Sequence, residues 1–154
     1  MGLFSLTQEL AIDLGTANTL IYVKGKGIVI REPSVVAVAR YSKEVYAVGY
    51  DAKEMVGKTP DNIIAIKPLK DGVISDCDIT QDMLELFMRK ALPRRSLLRP
   101  RIIMCVPSSV TDVEQRSVLG AAQRLGAKCS YVMEEPRAAA IGANIDINRP
   151  HGVM

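Results

Sequence analysis

The sequence has no tryptophan and only one histidine, His151, among its 154 residues. Because histidine is the side chain that most readily gains and loses a proton near neutral pH, this scarcity argues against a histidine general base and against a histidine-rich metal site. The three cysteines, Cys77, Cys105 and Cys129, are odd in number, widely spaced and without a Cys-x-x-Cys pair. That pattern argues against a disulfide framework and indicates a reducing compartment.

Long apolar runs and blocks of like charge are also missing. No run approaches the roughly 20 apolar residues of a membrane-spanning helix, and no basic-then-apolar secretion signal is present, so we expect a cytoplasmic protein. The net charge is only +3, from 20 basic and 17 acidic residues. Because nucleic-acid-binding proteins concentrate Lys and Arg on one face, no nucleic-acid partner is expected. The densest basic patch, Arg94, Arg95, Arg99 and Arg101, is typical of a solvated loop.

The composition, 48% hydrophobic and 24% charged, is that of a folded domain with a core. Residues 10–12 and 20–23 are β-rich runs joined by a Gly- and Asn-containing link, which favours a hairpin. Further short strands are predicted at residues 28–30, 35–39 and 46–49, before a helical segment at 51–56. Residues 59–78 are predicted to form loops and short strands, since they contain two prolines and many polar residues.

Helical periodicity dominates the second half of the chain. A helix is predicted after residues 78–80, with one apolar face: Met83, Leu84, Phe87, Met88 and Ala91. Residues 101–106 form a continuous apolar run, as expected of a buried central strand. Thr111 and Glu114 have capping-box spacing, and the helix they open is expected to end at Gly126 and to bury Val113, Val118, Ala121, Ala122 and Leu125. A strand at 131–133 and a helix beginning near Pro136 complete an α/β fold with a mixed sheet.

The turn between the first two strands, Asp13-Leu14-Gly15-Thr16-Ala17-Asn18-Thr19, is one candidate site. Gly15 lets backbone N–H groups converge on an anion, and Thr16 and Asn18 add side-chain donors. Asp13 could hold a water of a hydrated Mg²⁺ ion. A plain hairpin turn, with Asp and Asn hydrogen-bonded to their own backbone, is the alternative.

A second candidate site is Glu134-Glu135-Pro136, between a strand and an alanine-rich helix. A carboxylate there could orient or deprotonate a water that attacks a terminal phosphate. Alternatively, both glutamates simply stabilise the positive end of the following helix. The motif becomes specific only in combination with the hairpin.

Together, Asp13-Leu14-Gly15-Thr16 and the later Glu135-Pro136 with its alanine-rich helix resemble the actin, Hsp70 and sugar-kinase superfamily. Longer stretches are similar to the MreB-type bacterial actins: AIDLGTANTLIYVKGKGIVIREPSVVAV, AVGYDAKEMVGKTPDNIIAIKPLKDGVI, RPRIIMCVP and EEPRAAAIGA. The resemblance covers nearly the whole chain.

This resemblance implies the first half of an actin-like ATPase fold. Residues 1–32 and 79–154 would form an RNase-H-like subdomain (IA), and residues 33–78 a small inserted α/β subdomain (IB). ATP with Mg²⁺ is the expected cofactor, held by the Asp13–Thr19 hairpin: Asp13 (to the metal through water), Gly15, Thr16, Ala17, Asn18 and Thr19. Glu135 would activate water, with Glu134 the less favoured carboxylate.

The resemblance also implies assembly and membrane contact. Such proteins form paired antiparallel protofilaments on the inner face of the cytoplasmic membrane, where they work with membrane proteins of the cell-elongation machinery to guide lateral wall synthesis. The residues expected to enter the bilayer are Leu3, Phe4, Leu6, Leu97 and Leu98, and the nearby arginines would meet anionic lipid at about 1 kcal/mol each. Packing of these apolar side chains on the protein's own core is the alternative.

Departures from the family pattern are Arg137 for a usual Met, Ser109 for a usual Gly and Cys77 for a usual aromatic residue. The family continues past Met154 into a second phosphate loop and the adenosine pocket, so we expect a fragment or a truncated coding sequence. Alone, the chain is expected to bind ATP weakly, to be inactive and to leave apolar faces uncovered. A non-catalytic interaction module, an Hsp70-like chaperone domain and a sugar kinase remain alternatives.

Overall fold

The structure, a computed structural model, describes residues 8–58, 61–70, 73–92, 99–148 and 152. Ten strands and four helices are assigned within these residues. In chain order they are β1 (Glu9–Leu14), β2 (Asn18–Val23), β3 (Gly27–Pro33), β4 (Val36–Ala39), β5 (Val45–Val48), α1 (Tyr50–Met55), β6 (Ile63–Ile66), β7 (Leu69–Lys70), β8 (Val73–Ile74), α2 (Cys77–Ala91), β9 (Arg101–Val106), α3 (Asp112–Arg124), β10 (Cys129–Glu134) and α4 (Glu135–Gly142).

A mixed five-stranded sheet, in the order β10-β9-β1-β2-β3, forms the larger part of the fold. The strands β1, β2 and β3 pair antiparallel, because only short turns join them. The strands β1, β9 and β10 pair parallel, and α3 is the crossover between β9 and β10. This arrangement is the mixed α/β sheet flanked by helices that the sequence predicts.

One face of this sheet carries the core. Alternate residues along the strands are buried beneath α2, whose Met83, Leu84 and Phe87 are fully enclosed. Strand β9 shows the alternation clearly, since Ile102 and Met104 are buried whereas Ile103 is 39% exposed. The predicted buried central strand is an interior strand of the sheet, between β10 and β1, but only one of its faces is covered among the described residues.

A smaller sheet, in the order β5-β4-β6, packs with α1 around a second cluster that includes Val35, Ala37 and Ala52. Its strands lie within the segment 33–78, and β7 and β8 form a separate two-stranded hairpin. The division into subdomains IA and IB remains a prediction.

Three charged side chains join the smaller sheet to the larger one. The Glu32 carboxylate, at the end of β3, accepts from the Tyr50 backbone N–H at 3.4 Å and from the Lys90 ammonium at 3.2 Å. Lys90 also lies 3.5 Å from Asp51. Gly49, with φ of 70°, precedes α1, and a Cβ at this position would overlap a Glu32 carboxylate oxygen. Only glycine fits this junction.

The helix ends refine the sequence predictions. Asp76 caps α2 by accepting from the Ile79 N–H at 3.1 Å, so that helix begins earlier than expected. The capping box of Thr111 and Glu114 is confirmed. Val113, which was predicted to be buried, is 72% exposed. It lies five residues before the buried Val118, and that spacing places the two side chains about 140° apart around the helix axis.

Among the described residues, no helix is both long and apolar enough to span a membrane.

Candidate functional site

The predicted hairpin is confirmed: Asp13 pairs with Leu20 and Leu14 with Thr19, leaving residues 15–17 as the turn. The Gly15 N–H donates to the Asn18 carbonyl oxygen at 3.2 Å. A Cβ at Gly15 would lie only 2.8 Å from that same oxygen, closer than carbon and oxygen tolerate. The turn therefore requires glycine at this position for close approach of the backbone.

A buried serine, Ser34, is hydrogen-bonded to this turn. The Ser34 hydroxyl donates to the Gly15 carbonyl oxygen at 2.6 Å and lies 3.0 Å from the Thr19 hydroxyl, while the Ser34 N–H donates to the Ala17 carbonyl oxygen at 3.0 Å. Both hydroxyl-bearing residues are fully buried. Thr19 thus faces the core and supports the shape of the turn.

An open cleft of about 560 Å³ lies against the hairpin. Its lining contains most of the predicted hairpin residues and three others that the local sequence does not single out: Asp13, Gly15, Thr16, Ala17, Asn18, Leu20, Arg31 and Tyr50. Thr16 and Asn18 therefore sit at a hairpin tip that faces a cleft, as predicted. Arg31 and Tyr50 join them through the pairing of β3 with β2 and through the start of α1.

Two carboxyl groups are close enough to influence one another. Burial raises the pKa of Asp13 above its ordinary value. Burial, and secondly the negative charge of Asp13, raise the pKa of Glu135, at the first position of α4. Between them, Cys105 pairs with Asp13 across β9 and β1, and its thiol pKa is raised by burial and by both carboxylates.

Glu134 differs from Glu135 in its surroundings. It is the last residue of β10 and is exposed, whereas Glu135 is half-buried. Neither residue belongs to the lining of the hairpin cleft, and Glu135 is related to the site by its electrostatic coupling to Asp13. Of the two glutamates, Glu135 is therefore the one linked to the hairpin carboxylate.

A metal ion at this site would have to keep most of its own water ligands. No group of three or more His, Cys, Asp or Glu side chains with metal-binding geometry occurs in the described part of the chain. Mg²⁺ retains several waters and needs only one or two carboxylates. The Asp13 carboxylate, half-buried and without a hydrogen bond or ion pair to any described residue, would be stabilised by such a cation.

Other sequence predictions lie elsewhere. The bilayer residues Leu3, Phe4, Leu6, Leu97 and Leu98 fall outside the described residues. A larger cleft, of about 920 Å³, is lined by parts of β5, α1, α2 and α3 and contains none of the predicted site residues. Arg137, a departure from the family pattern, is exposed two residues after Glu135.

Known proteins resemble this chain in both sequence and fold. A family model described as "MreB/Mbl protein" matches residues 7–154. The chain belongs to the MreB/Mbl family. It is 52% identical over 159 aligned positions to the cell shape-determining protein MreB of Escherichia coli (strain K12), covering 99% of the chain and 45% of that relative. It is 51% identical to the cell shape-determining protein Mbl of Bacillus subtilis (strain 168), covering 96% of the chain and 44% of that relative.

Solved structures of related proteins show the same fold. MreB5 of Spiroplasma citri, in crystal structures bound to ADP and to AMPPNP, superposes with a TM-score of 0.80 at 36% identity, over 95% of this chain and 44% of that one. The double helical filament of MamK gives a TM-score of 0.75 at 22% identity, over 90% of this chain and 44% of that one, which supports the actin-like fold. The chain thus spans less than half the length of the relatives it matches.

Proposed function

We propose that this chain forms the first half of the nucleotide site of an actin-like cell-shape protein. The observation that carries the proposal is the tight hairpin, facing a cleft and electrostatically linked through Asp13 to Glu135. The crystal structures of the MreB5 relative with ADP and AMPPNP support ATP as the ligand. The experiments use the complete protein, that is, this chain joined to the second half of the fold that its relatives carry.

The hairpin would hold the phosphates through its backbone and short side chains. Residues 15–17 line the cleft, and an anion there would gain from backbone dipoles that converge on it. Ser34 holds this turn in one shape, so the N–H groups need little reordering when a ligand binds. Asp13 would hold a water of the Mg²⁺ ion that neutralises the phosphate charge.

Glu135 would position and deprotonate the attacking water. Its raised pKa makes the ionised carboxylate a stronger base, and a general base works best when its pKa approaches the working pH. Because the ionised form is needed, turnover should fall as pH drops through this pKa. We therefore place the acid limb of the pH–rate profile above the ordinary glutamate value of 4.5.

At the cellular level, we propose that the complete protein polymerises with copies of itself into antiparallel protofilaments on the inner membrane face. It would guide lateral wall synthesis together with membrane proteins of the elongation machinery. Membership of a family whose relatives are named cell shape-determining supports this role over a chaperone or a sugar kinase. A single short apolar segment binds membrane only marginally, so polymer avidity would strengthen membrane attachment.

Replacing Glu135 with Gln in the complete protein tests the catalytic proposal. We expect phosphate release to fall by about 10²–10⁴-fold, the usual contribution of a general base, while ATP binding stays within a few-fold. Glu134→Gln is the matched comparison, since it neutralises the exposed neighbouring carboxylate. If Glu135→Gln turned over ATP within a factor of about two of the wild type, another residue must position the water.

A further inference from the structure

We propose that Arg31 binds the phosphate chain of the nucleotide, as the positively charged side chain in the lining of the hairpin cleft. This inference rests on the proposed nucleotide site and adds a binding residue to it. Nothing in the local sequence around Arg31, between Ile30 and Glu32, distinguishes it from an ordinary charged residue on a strand.

Strand register places Arg31 at the site. Arg31 pairs with Leu20, and Leu20 pairs with Asp13, so the three residues form one row across β3, β2 and β1. Directly paired residues point to the same face of a sheet. All three line the hairpin cleft, together with residues 15–18 of the hairpin. A flexible arginine stem can extend over the neighbouring Leu20 toward the cleft centre.

The negative charges around the cleft favour a cation there. Arg31 is the only Lys or Arg in the lining of this cleft within the described chain, whereas Asp13 contributes a carboxylate and Glu135 lies close by. A triphosphate brings further negative charge. A cation facing these groups would offset their mutual repulsion, together with the metal ion.

The guanidinium of Arg31 is available for a ligand. Arg31 is exposed, and it makes no ion pair or side-chain hydrogen bond with any residue that the structure describes. Lys90, by contrast, is engaged with Glu32, the residue that follows Arg31. The planar guanidinium fork matches two phosphate oxygens at once, which makes arginine better suited than lysine to this contact.

The competing explanation is that Arg31 protects the sheet edge. Strand β3 is the last strand of the five-stranded sheet, and charged side chains on edge strands discourage pairing with other chains. Such a role would not involve the nucleotide, so ligand affinity separates the two explanations.

Isothermal titration of the complete protein with Mg-ATP, Mg-ADP and adenosine tests the inference. Arg31→Gln removes the positive charge, and Arg31→Lys keeps the charge but lacks the planar guanidinium group. Lys26→Gln is the control: it removes one positive charge at the turn before β3, at the far end of the same pair of strands. We expect Arg31→Gln to raise the Kd for Mg-ATP about tenfold and Arg31→Lys to recover part of the loss. Lys26→Gln should match the wild type, and adenosine affinity should not change.

Each other outcome overturns a definite statement. If the wild type binds Mg-ATP and Arg31→Gln binds it like Lys26→Gln, Arg31 does not contact the phosphates, although the nucleotide site stands. If Arg31→Gln weakens adenosine as much as Mg-ATP, the residue acts through the fold, and the inference fails. If the wild type itself shows no saturable Mg-ATP binding, the proposed function fails and this inference with it.

Discussion

Buried hydroxyl groups need hydrogen-bond partners, and at the hairpin the hydroxyl groups of Thr19 and Ser34 are partners of each other. The Ser34 oxygen additionally satisfies the Gly15 carbonyl, so a single side chain fixes the turn that faces the cleft. An unsatisfied buried polar group costs more than the hydrogen bond itself contributes. The shape of the Asp13–Thr19 hairpin therefore depends on a residue that lies just before the smaller sheet.

Replacing Ser34 with Ala should lower the free energy of unfolding of the complete protein by about 1–3 kcal/mol. The physical reason is that the Thr19 hydroxyl and the Gly15 carbonyl would both lose a partner inside the core. Ser108→Ala, at an exposed position before α3, serves as the control. Urea unfolding followed by circular dichroism measures the difference, and equal midpoints for the two variants would show that the Ser34 contacts contribute nothing.

The sequence could predict some of these residues and not others. Gly15, Thr16 and Asn18 lie together in the chain, so a turn between two apolar runs was enough to select them. Ser34 and Arg31 reach the hairpin only through the pairing of β3 with β2. Register is set by tertiary packing as well as local pattern, so no local signal identified them.

At the scale of elements, Glu114 joins α3 to the hairpin of β7 and β8. Its carboxylate accepts from the Thr111 N–H at 2.8 Å and the Thr111 hydroxyl at 2.6 Å within the capping box. It also accepts from the Ile74 N–H, 40 residues earlier in the chain, at 3.1 Å. The capping box follows from local spacing, whereas the contact with β8 does not.

We expect Glu114→Gln to lower the free energy of unfolding by about 1 kcal/mol at neutral pH. The hydroxyl and N–H of Thr111, and then the Ile74 N–H, hold the pKa of Glu114 below its ordinary value of 4.5. A lowered carboxyl pKa stabilises the folded state above that value, and the stabilisation is lost as pH falls through the folded-state pKa.

Unfolding experiments at neutral and acid pH, on the wild type and Glu114→Gln, measure this effect. The difference between them should shrink on acidification, whereas the exposed Glu54→Gln control should differ little from the wild type at either pH. A difference that stayed constant with pH would mean that the ionised carboxylate is not the stabilising form.

At the scale of the whole molecule, one face of the large sheet carries an apolar row across all five strands. The row follows the strand register: Tyr131, Ile103, Ala11, Tyr22 and Ile28. Its four large side chains, all but Ala11, are between 39% and 53% exposed, in agreement with the uncovered apolar faces that the sequence predicts. We expect the second half of the fold to cover this row in the complete protein.

The central claim is that the Asp13–Thr19 hairpin binds the nucleotide phosphates, and Gly15→Ala tests it most directly. A methyl group at Gly15 would lie 2.8 Å from the Asn18 carbonyl oxygen and would distort the turn. A methyl group at Gly142, at the end of α4, would have no atom within 4 Å. Gly142→Ala is therefore the matched control. The measurement is isothermal titration of the complete protein with Mg-ATP, with circular dichroism to verify folding. We expect Gly142→Ala to bind like the wild type and Gly15→Ala to bind at least about tenfold more weakly. Folded Gly15→Ala with wild-type affinity would contradict the claim.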